Sequence, residues 1–369
     1  MSPALHAGLF PDPGQEMLLR AALAADDRAG EYFRRWLEIV PFEGQHDAGS
    51  YRLLPLLWTS LSEAGVEHPH LGRLKGVFRN NWVKASQRTA LAAELLAMLD
   101  AAGVRTLVGK GLPLALSYYE TAAHRPMNDI DIVVAPDDAP HASRLLEERG
   151  FHADRGSWSS ERRLRHALLH QHSKHGEVDL HWHVLFDCPN AAADRPFWQH
   201  AVAMNVGAAQ TLRPSATELL LQVVIHGMRP NALPPIRWIA DAAMIIRSGD
   251  EIDWRRLADF AREQGVATRV ALGLSYLKRT FDIAVPDHLI GELGSRPSLF
   301  ERFELLAMGR EIGQRRWRHL RRGAHIVRLL RSDRQPWHLS IALVREFHKR
   351  YLRAKPRNLA SPAGSHHGS

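Results

Sequence analysis

Two short stretches carry side chains that could do chemistry together. Leu107-Val108-Gly109-Lys110-Gly111 puts a glycine turn after one apolar run, and Met127-Asn128-Asp129-Ile130-Asp131-Ile132-Val133-Val134 puts two carboxylates on the next. A third carboxylate follows in Glu177-Val178-Asp179-Leu180-His181-Trp182. On a strand, residues i and i+2 point to one face about 7 Å apart. Asp129 and Asp131 therefore look out together while Ile130 and Ile132 look into the core, and such a pair can share divalent metal ions.

Phosphoryl chemistry is the physical reason to want this pattern. A nucleoside triphosphate brings several negative charges that must be neutralised and held in line for attack, and two metals about 3.5–4 Å apart stabilise both the attacking and the leaving oxygen. Mg²⁺ takes hard oxygen ligands, from one or two carboxylates and the substrate phosphates, and keeps several waters. Glycines suit the same task, because a residue without Cβ lets backbone N–H groups approach a phosphate through a tight turn. Alone, an Asp-x-Asp is as easily a strand edge with two solvated acids, and a Gly-x-Gly an ordinary turn. Order and spacing, with Asp179 alternating against Val178, Leu180 and Trp182, favour the joint reading.

The elements that must position these groups follow from periodicity. Residues 14 to 100 read as helices: Glu16 to Ala24, Glu31 to Ile39, Leu53 to Ala64 and Asn81 to Ala101, the last with Leu91, Leu95, Leu96 and Leu99 at helical spacing. Gly103 ends that helix, and Val104 to Val108 starts the first strand. Gly111 to Tyr119 is expected to be a helix, Asp129 to Val134 a strand and Pro140 to Arg149 a helix. Leu164 to His172 and Glu177 to Val184 are expected to be strands joined by Ser173-Lys174-His175-Gly176, a strand-helix-strand core with a hairpin. After Pro189 the chain reads as helical again, at Ser215 to His226, Pro235 to Arg247, Trp254 to Gln264 and Ala267 to Phe281.

Gly109-Lys110-Gly111, then Arg125 shortly before Asp129-Ile130-Asp131, then Val178-Asp179-Leu180-His181-Trp182, resemble the uncharacterised nucleotidyltransferase family within the polymerase-beta-like nucleotidyltransferase superfamily. The superfamily pattern is a glycine turn, a carboxylate-x-carboxylate strand and a later carboxylate on a neighbouring strand. The superfamily's glycine is usually followed by Gly or Ser, whereas Lys110 interrupts the pair here, as it does in this branch. The likeness is good over roughly residues 85 to 190 and looser beyond, where His226 and Arg237-Trp238-Ile239-Ala240-Asp241 resemble the family's helical second half.

The resemblance implies an α/β (α+β) protein with a small mixed-sheet nucleotidyltransferase core flanked by helical domains. The expected division is 1–88, an N-terminal helical region; 89–190, the core; 191–357, a C-terminal helical domain with a basic end; and 358–369, a disordered tail. It implies an enzyme that moves a nucleoside monophosphate from an NTP to an acceptor hydroxyl and releases pyrophosphate, using Mg²⁺ or Mn²⁺. Asp129 and Asp131 would bind both metals, and Asp179 would bind the catalytic one and help activate the acceptor. Gly109, Lys110 and Gly111 would hold the β- and γ-phosphates, and Arg125 would reach a phosphate with its rigid fork or pair with Glu120. The acceptor is open, with a small molecule or peptide favoured over an RNA end or a protein. Arg237 and Asp241, four apart, are either an ordinary surface pair or part of the cleft.

Composition agrees with an enzyme working in the cytoplasm. A chain of 369 residues can hold two or more domains, and 45% hydrophobic with 24% charged residues is ordinary globular usage. Cys188 is the only cysteine, so no disulfide forms within the chain. No stretch approaches the apolar length of a membrane span, and Met1 to Met17 lacks the pattern of a signal peptide.

The net charge of +8 is uneven. Arg310 to Arg357 holds fifteen Arg and Lys against three acids, a net of +12, so the remainder sums to −4. That segment could follow a nucleic-acid backbone, or present the solvated face of amphipathic helices. Two rival functions stand beside the main one. His166, His170, His172, His175, His181 and His183 crowd the expected hairpin, and His170-x-His172 facing His181-x-His183 would set up to four imidazoles on one sheet face, a Zn²⁺ or Fe²⁺ site. The other rival is a nucleotide-binding module without turnover.

Overall fold

The computed structural model describes residues 9–24, 26–153, 166–229, 236–295, 297–308, 323 and 327–328. The N-terminal region is helical as expected: α1 (Pro13–Leu23), α2 (Arg28–Ile39), α3 (Ala48–Tyr51), α4 (Leu54–Glu63) and α5 (Leu71–Ala101). Asp12 and Gln15 close a capping box at the start of α1, each side chain accepting from the other's backbone N–H at 2.8 and 3.1 Å, with Pro13 preset for the first turn. The long helix α5 begins ten residues before the expected Asn81, because Leu74, Asn81 and Ala85 continue its buried stripe through a stretch where Gly72 and Gly76 weaken the sequence signal.

The core is a seven-stranded mixed sheet of order β3-β4-β5-β2-β1-β7-β6. Its strands are β1 (Thr106–Val108), β2 (Asp129–Val134), β3 (His152–Ala153), β4 (Ala167–His172), β5 (Gly176–His181), β6 (Val202–Val206) and β7 (Ala209–Arg213). Between them lie α6 (Gly111–Ser117), α7 (Ala139–Glu148) and α8 (Ala191–Gln199). Glycine turn, helix and acid-bearing strand thus follow one another as the sequence suggested. The hairpin β6–β7 was not expected. It turns at Gly207, whose φ of 57° suits a tight two-residue turn, and its Leu212 pairs in parallel with Leu107, so the sheet runs past residue 190 to Arg213.

Two apolar layers hold the sheet. Ile130, Ile132 and Val134 of β2, with Val178 and Leu180 of β5, face Leu95, Leu96 and Leu99 of α5 and Leu146 of α7. Leu107 and Val133 face the other way, into the larger cluster built from the N-terminal helices and α9 (Ala216–Gly227), α10 (Arg237–Arg247), α11 (Trp254–Glu263) and α12 (Ala267–Phe281). Helices α13 (Asp287–Gly294) and α14 (Leu299–Met308) complete the described fold. No helix of the described residues is long and apolar enough to cross a membrane. The basic segment 310–357, apart from residues 323, 327 and 328, and the tail 358–369 lie outside the described residues. Arg328 is buried, paired with Glu304 and donating to the Gln264 and Gly265 carbonyls, so one of the fifteen cations is structural.

A buried ion pair ties the core to the helices beyond it. Arg125, 2% exposed, grips Asp241 of α10 with Nε and Nη2 at 2.8 and 2.9 Å and donates Nη1 to the Gly111 carbonyl at 3.0 Å. The Tyr119 hydroxyl donates to the same Asp241 at 2.8 Å. Deleting one member of a buried pair strands the other charge in a low dielectric, at a cost of about 3–5 kcal/mol. Asp241→Ala should lose stability of that order in urea unfolding; a loss below about 1 kcal/mol would show that the pair does not hold these parts together.

Candidate active site

The parallel register of β2 and β5 sets Asp129 beside Glu177, Asp131 beside Asp179 and Val133 beside His181. Side chains in register on adjacent strands share a face, so four carboxylates and one imidazole emerge on the face opposite Ile130 and Ile132. Asp131, Asp179 and His181 bring ligand atoms within 4.8 Å of one another. Asp131 is 2% exposed and accepts from Lys110 Nζ at 2.9 Å and His181 Nε2 at 3.1 Å, both on Oδ1. His181 Nε2 also lies 3.3 Å from Asp179 Oδ2.

The glycine turn is fitted to this floor. Gly109 N–H donates to the Asp131 carbonyl at 2.9 Å, and a Cβ on Gly109 would stand 2.7 Å from Asp131 Cβ, closer than two carbons can pack. Glycine is thus required here by the acid it touches. Burial and the Asp131 charge push the Asp129 carboxyl above its ordinary value. Burial would do the same to Asp131, but Lys110 and His181 hold it well below the usual carboxylate range. For His181, burial favours the neutral ring, yet Asp179 and Asp131 outweigh it and raise the imidazole to about 9.

These groups open into a cavity of about 340 Å³. Asp129, Glu177 and Asp179 line it together with Lys110, Arg52, Arg229 and Arg237, so carboxylates and cations share one cavity. Gln222 and His226, four apart on α9, reach the cavity from one helix face, and Arg229 joins them from just beyond the helix end at Gly227. Burial, together with nearby cations, keeps His226 and His166 well below the ordinary histidine value, so both rings are neutral. The sequence signal for these three residues was weak, and only His226 had been singled out.

Asp129, Asp131, Asp179, Gly109, Lys110 and Gly111 are brought together as expected from sequence. Arg125 is placed differently. Its guanidinium is sealed against Asp241 and the Gly111 carbonyl, so it braces the glycine turn from behind and is no phosphate-facing fork; its partner is Asp241 and not Glu120. Arg237 lines the cavity while Asp241 is buried under it, so they are no surface pair.

The four-imidazole face does not form. In the antiparallel register of β4 and β5, His170 opposes Val178 and faces the α7 side, where it meets Ser143 Oγ at 2.7 Å and the Leu168 carbonyl at 3.0 Å. His181 opposes Ala167 and faces the acids. His183 lies against Asp194 at 2.5 Å. Within β4 the i, i+2 count is right, but His183 lies beyond the end of β5, and His170 and His181 fall out of phase by one residue across the pairing, which puts them on opposite faces.

Arg229 is fixed in the wall by Asp187, whose Oδ2 lies 2.9 Å from Arg229 Nε, and its guanidinium stacks 4.5 Å from the Phe186 ring centroid. Burial would raise the Asp187 carboxyl, but Arg269 and Arg229 hold it well below the usual range. The folded value is the lower one, so this stabilisation is complete above the unfolded carboxyl's pKa of about 3.9 and is lost as pH falls through and below it. Thermal melts should show wild type losing more stability than Asp187→Asn between about pH 5 and pH 3; parallel losses would contradict the assignment.

Residues 48–282 match the family described as uncharacterised nucleotidyltransferase. No curated protein and no solved structure matches the chain. The matched span takes in the glycine turn, all three aspartates and helices α9 to α12, of which α9 and α10 line the cavity, so the chain belongs to this nucleotidyltransferase family.

Proposed function

We infer that this nucleotidyltransferase moves a nucleoside monophosphate from an NTP to an acceptor hydroxyl in a reaction that depends on Mg²⁺ or Mn²⁺. The observation that carries the reading is the buried Asp131 beside Asp179, with Asp131 Oδ2 buried and lacking a hydrogen-bond partner among the described residues. An unsatisfied buried carboxylate oxygen is costly, and a hard divalent cation is the ligand that such an oxygen suits. The donor set fits: Asp129, Asp131 and Asp179 would hold the ions, which when bound would neutralise charge on the reacting phosphate.

The chain's own groups support the rest. Gly109 to Gly111 and Lys110 would hold the β- and γ-phosphates, since Lys110 stands on the Asp131 floor with its ammonium at the cavity wall. The acceptor oxygen would attack the α-phosphorus as the bond to the bridging oxygen of pyrophosphate breaks, and the acceptor proton would pass to Asp179, which is open to the cavity. His181, protonated and touching both aspartates, would keep them aligned. A cavity of this size suits a small-molecule or peptide end as acceptor. We place the reaction in the cytoplasm, which agrees with a free, buried Cys188.

Asp131→Asn removes a charged ligand and keeps its shape. The variant should still fold, with a melting temperature lowered by the loss of the charge that Lys110 and His181 face, and should lose roughly two orders of magnitude or more in transfer of label from an α-labelled NTP. Retained transfer would remove the reading, and NTP binding with no transfer by wild type to any acceptor in a cell extract would favour a binding module instead.

A further inference from the structure

The cavity brings carboxylates and guanidiniums together, and two of its guanidiniums, Arg52 and Arg237, lie close enough for Arg52 to disfavour the charge of Arg237. Arg125 and Arg237 share a single carboxylate. Arg125 takes both oxygens of Asp241, at 2.8 and 2.9 Å, and leaves Arg237 Nε 3.9 Å away. Arg237 Nη1 donates to the Pro126 carbonyl, which fixes the side chain without cancelling its charge. Arg52, which precedes α4, lines the same cavity close enough to act on the charge of Arg237, and forms no ion pair with any described residue. Burial, Arg125 and Arg52 all disfavour the charged form of Arg237, and its value falls to about 10. Guanidiniums crowded this way, with one carboxylate between two of them, favour an anion beside them in the cavity.

We propose that Arg52 and Arg237 complete the seat for the terminal phosphate of the NTP, adding guanidinium contacts to those that the glycine turn and Lys110 would make, a role that the buried Arg125 does not fill. The inference rests on the nucleotidyl-transfer reading and adds residues from outside the sheet to it. Position favours the triphosphate over an acid group of the acceptor. Arg237 is hydrogen-bonded to Pro126, three residues before Asp129, and three residues of chain span at most about 10 Å. An anion at Arg237 is therefore within a polyphosphate's reach of the acids that hold its reacting end. Asn128 lines the wall between them. Two planar forks also match the terminal phosphate's oxygens better than ammonium groups would.

Three consequences separate this from a general basic patch. The seat discriminates by phosphate number, so NTP should bind more tightly than the NMP of the same base. It draws on the helical regions at both ends of the chain, so the nucleotide should stabilise α4 and α10 against the core. And Arg237→Lys, which keeps charge but not the fork, should recover only part of the affinity.

The test is equilibrium binding with Mg²⁺ of ATP, GTP, CTP and UTP, and of the NMP matching the tightest, to wild type, Arg52→Gln, Arg237→Gln and Arg237→Lys, each checked by melting. Arg52→Gln and Arg237→Gln should each weaken NTP binding by about tenfold to a hundredfold and leave the NMP unchanged, so that the preference for triphosphate collapses. Should Arg237→Gln fail to fold, the half-buried Arg52 decides alone. An NTP-to-NMP ratio unchanged in Arg52→Gln and in any folded Arg237→Gln overturns the seat while leaving nucleotidyl transfer intact. Absence of binding by wild type to all four NTPs overturns the functional reading and the seat with it.

Discussion

Two aspartates on neighbouring parallel strands, Asp131 and Asp179, sit in register on one face, and much of the molecule is arranged around that constraint. Adjacent strands are about 4.8 Å apart, so like charges directly side by side repel, all the more where one of them is almost wholly buried. The chain meets this with two cations of its own. Lys110 reaches Asp131 from the glycine turn, and His181, two residues beyond Asp179, bridges both acids. Because the turn must come within contact of Asp131, Gly109 has no room for a side chain. A sheet register thus dictates a residue type on another strand's end.

The helical regions supply what a small sheet cannot. The acid face of β2 and β5 would be a bare, repulsive surface without α9 and α10 standing over it. The Arg125–Asp241 pair, joined by Tyr119, locks α10 to the loop that leads into β2. Buried pairs of this kind give position more than stability, and position is what a cleft needs. Asp187 does the same for Arg229. The outcome is a cavity lined by both carboxylates and guanidiniums, which suits a substrate that brings metal ions and negative charge together.

Much of this was legible in the sequence, for reasons specific to each residue. Asp129 and Asp131 alternate with Ile130 and Ile132, and the period of two assigns them a face without knowledge of the fold. Gly109 and Gly111 were legible as a turn, but not the contact that requires Gly109. Arg125 was noticed for the wrong partner, since Asp241 lies more than a hundred residues away and periodicity carries no information about such pairs. The β6–β7 hairpin was missed because each strand is five residues long and mixes faces, and because a helical stretch on each side invites a helical reading. The histidines of the β4–β5 hairpin misled because the phase between two strands is set by their pairing, not by spacing within either one.

The central claim is that the α-phosphate of the nucleotide is what moves. Parallel reactions with Mg²⁺ and cell extract, one with NTP labelled at the α-phosphorus and one with the same NTP labelled at the γ-phosphorus, test it most directly. The account predicts that α-label enters a product while γ-label leaves as pyrophosphate, in equal amounts. Transfer of the γ-label to the product, or release of orthophosphate with no labelled product, would contradict it.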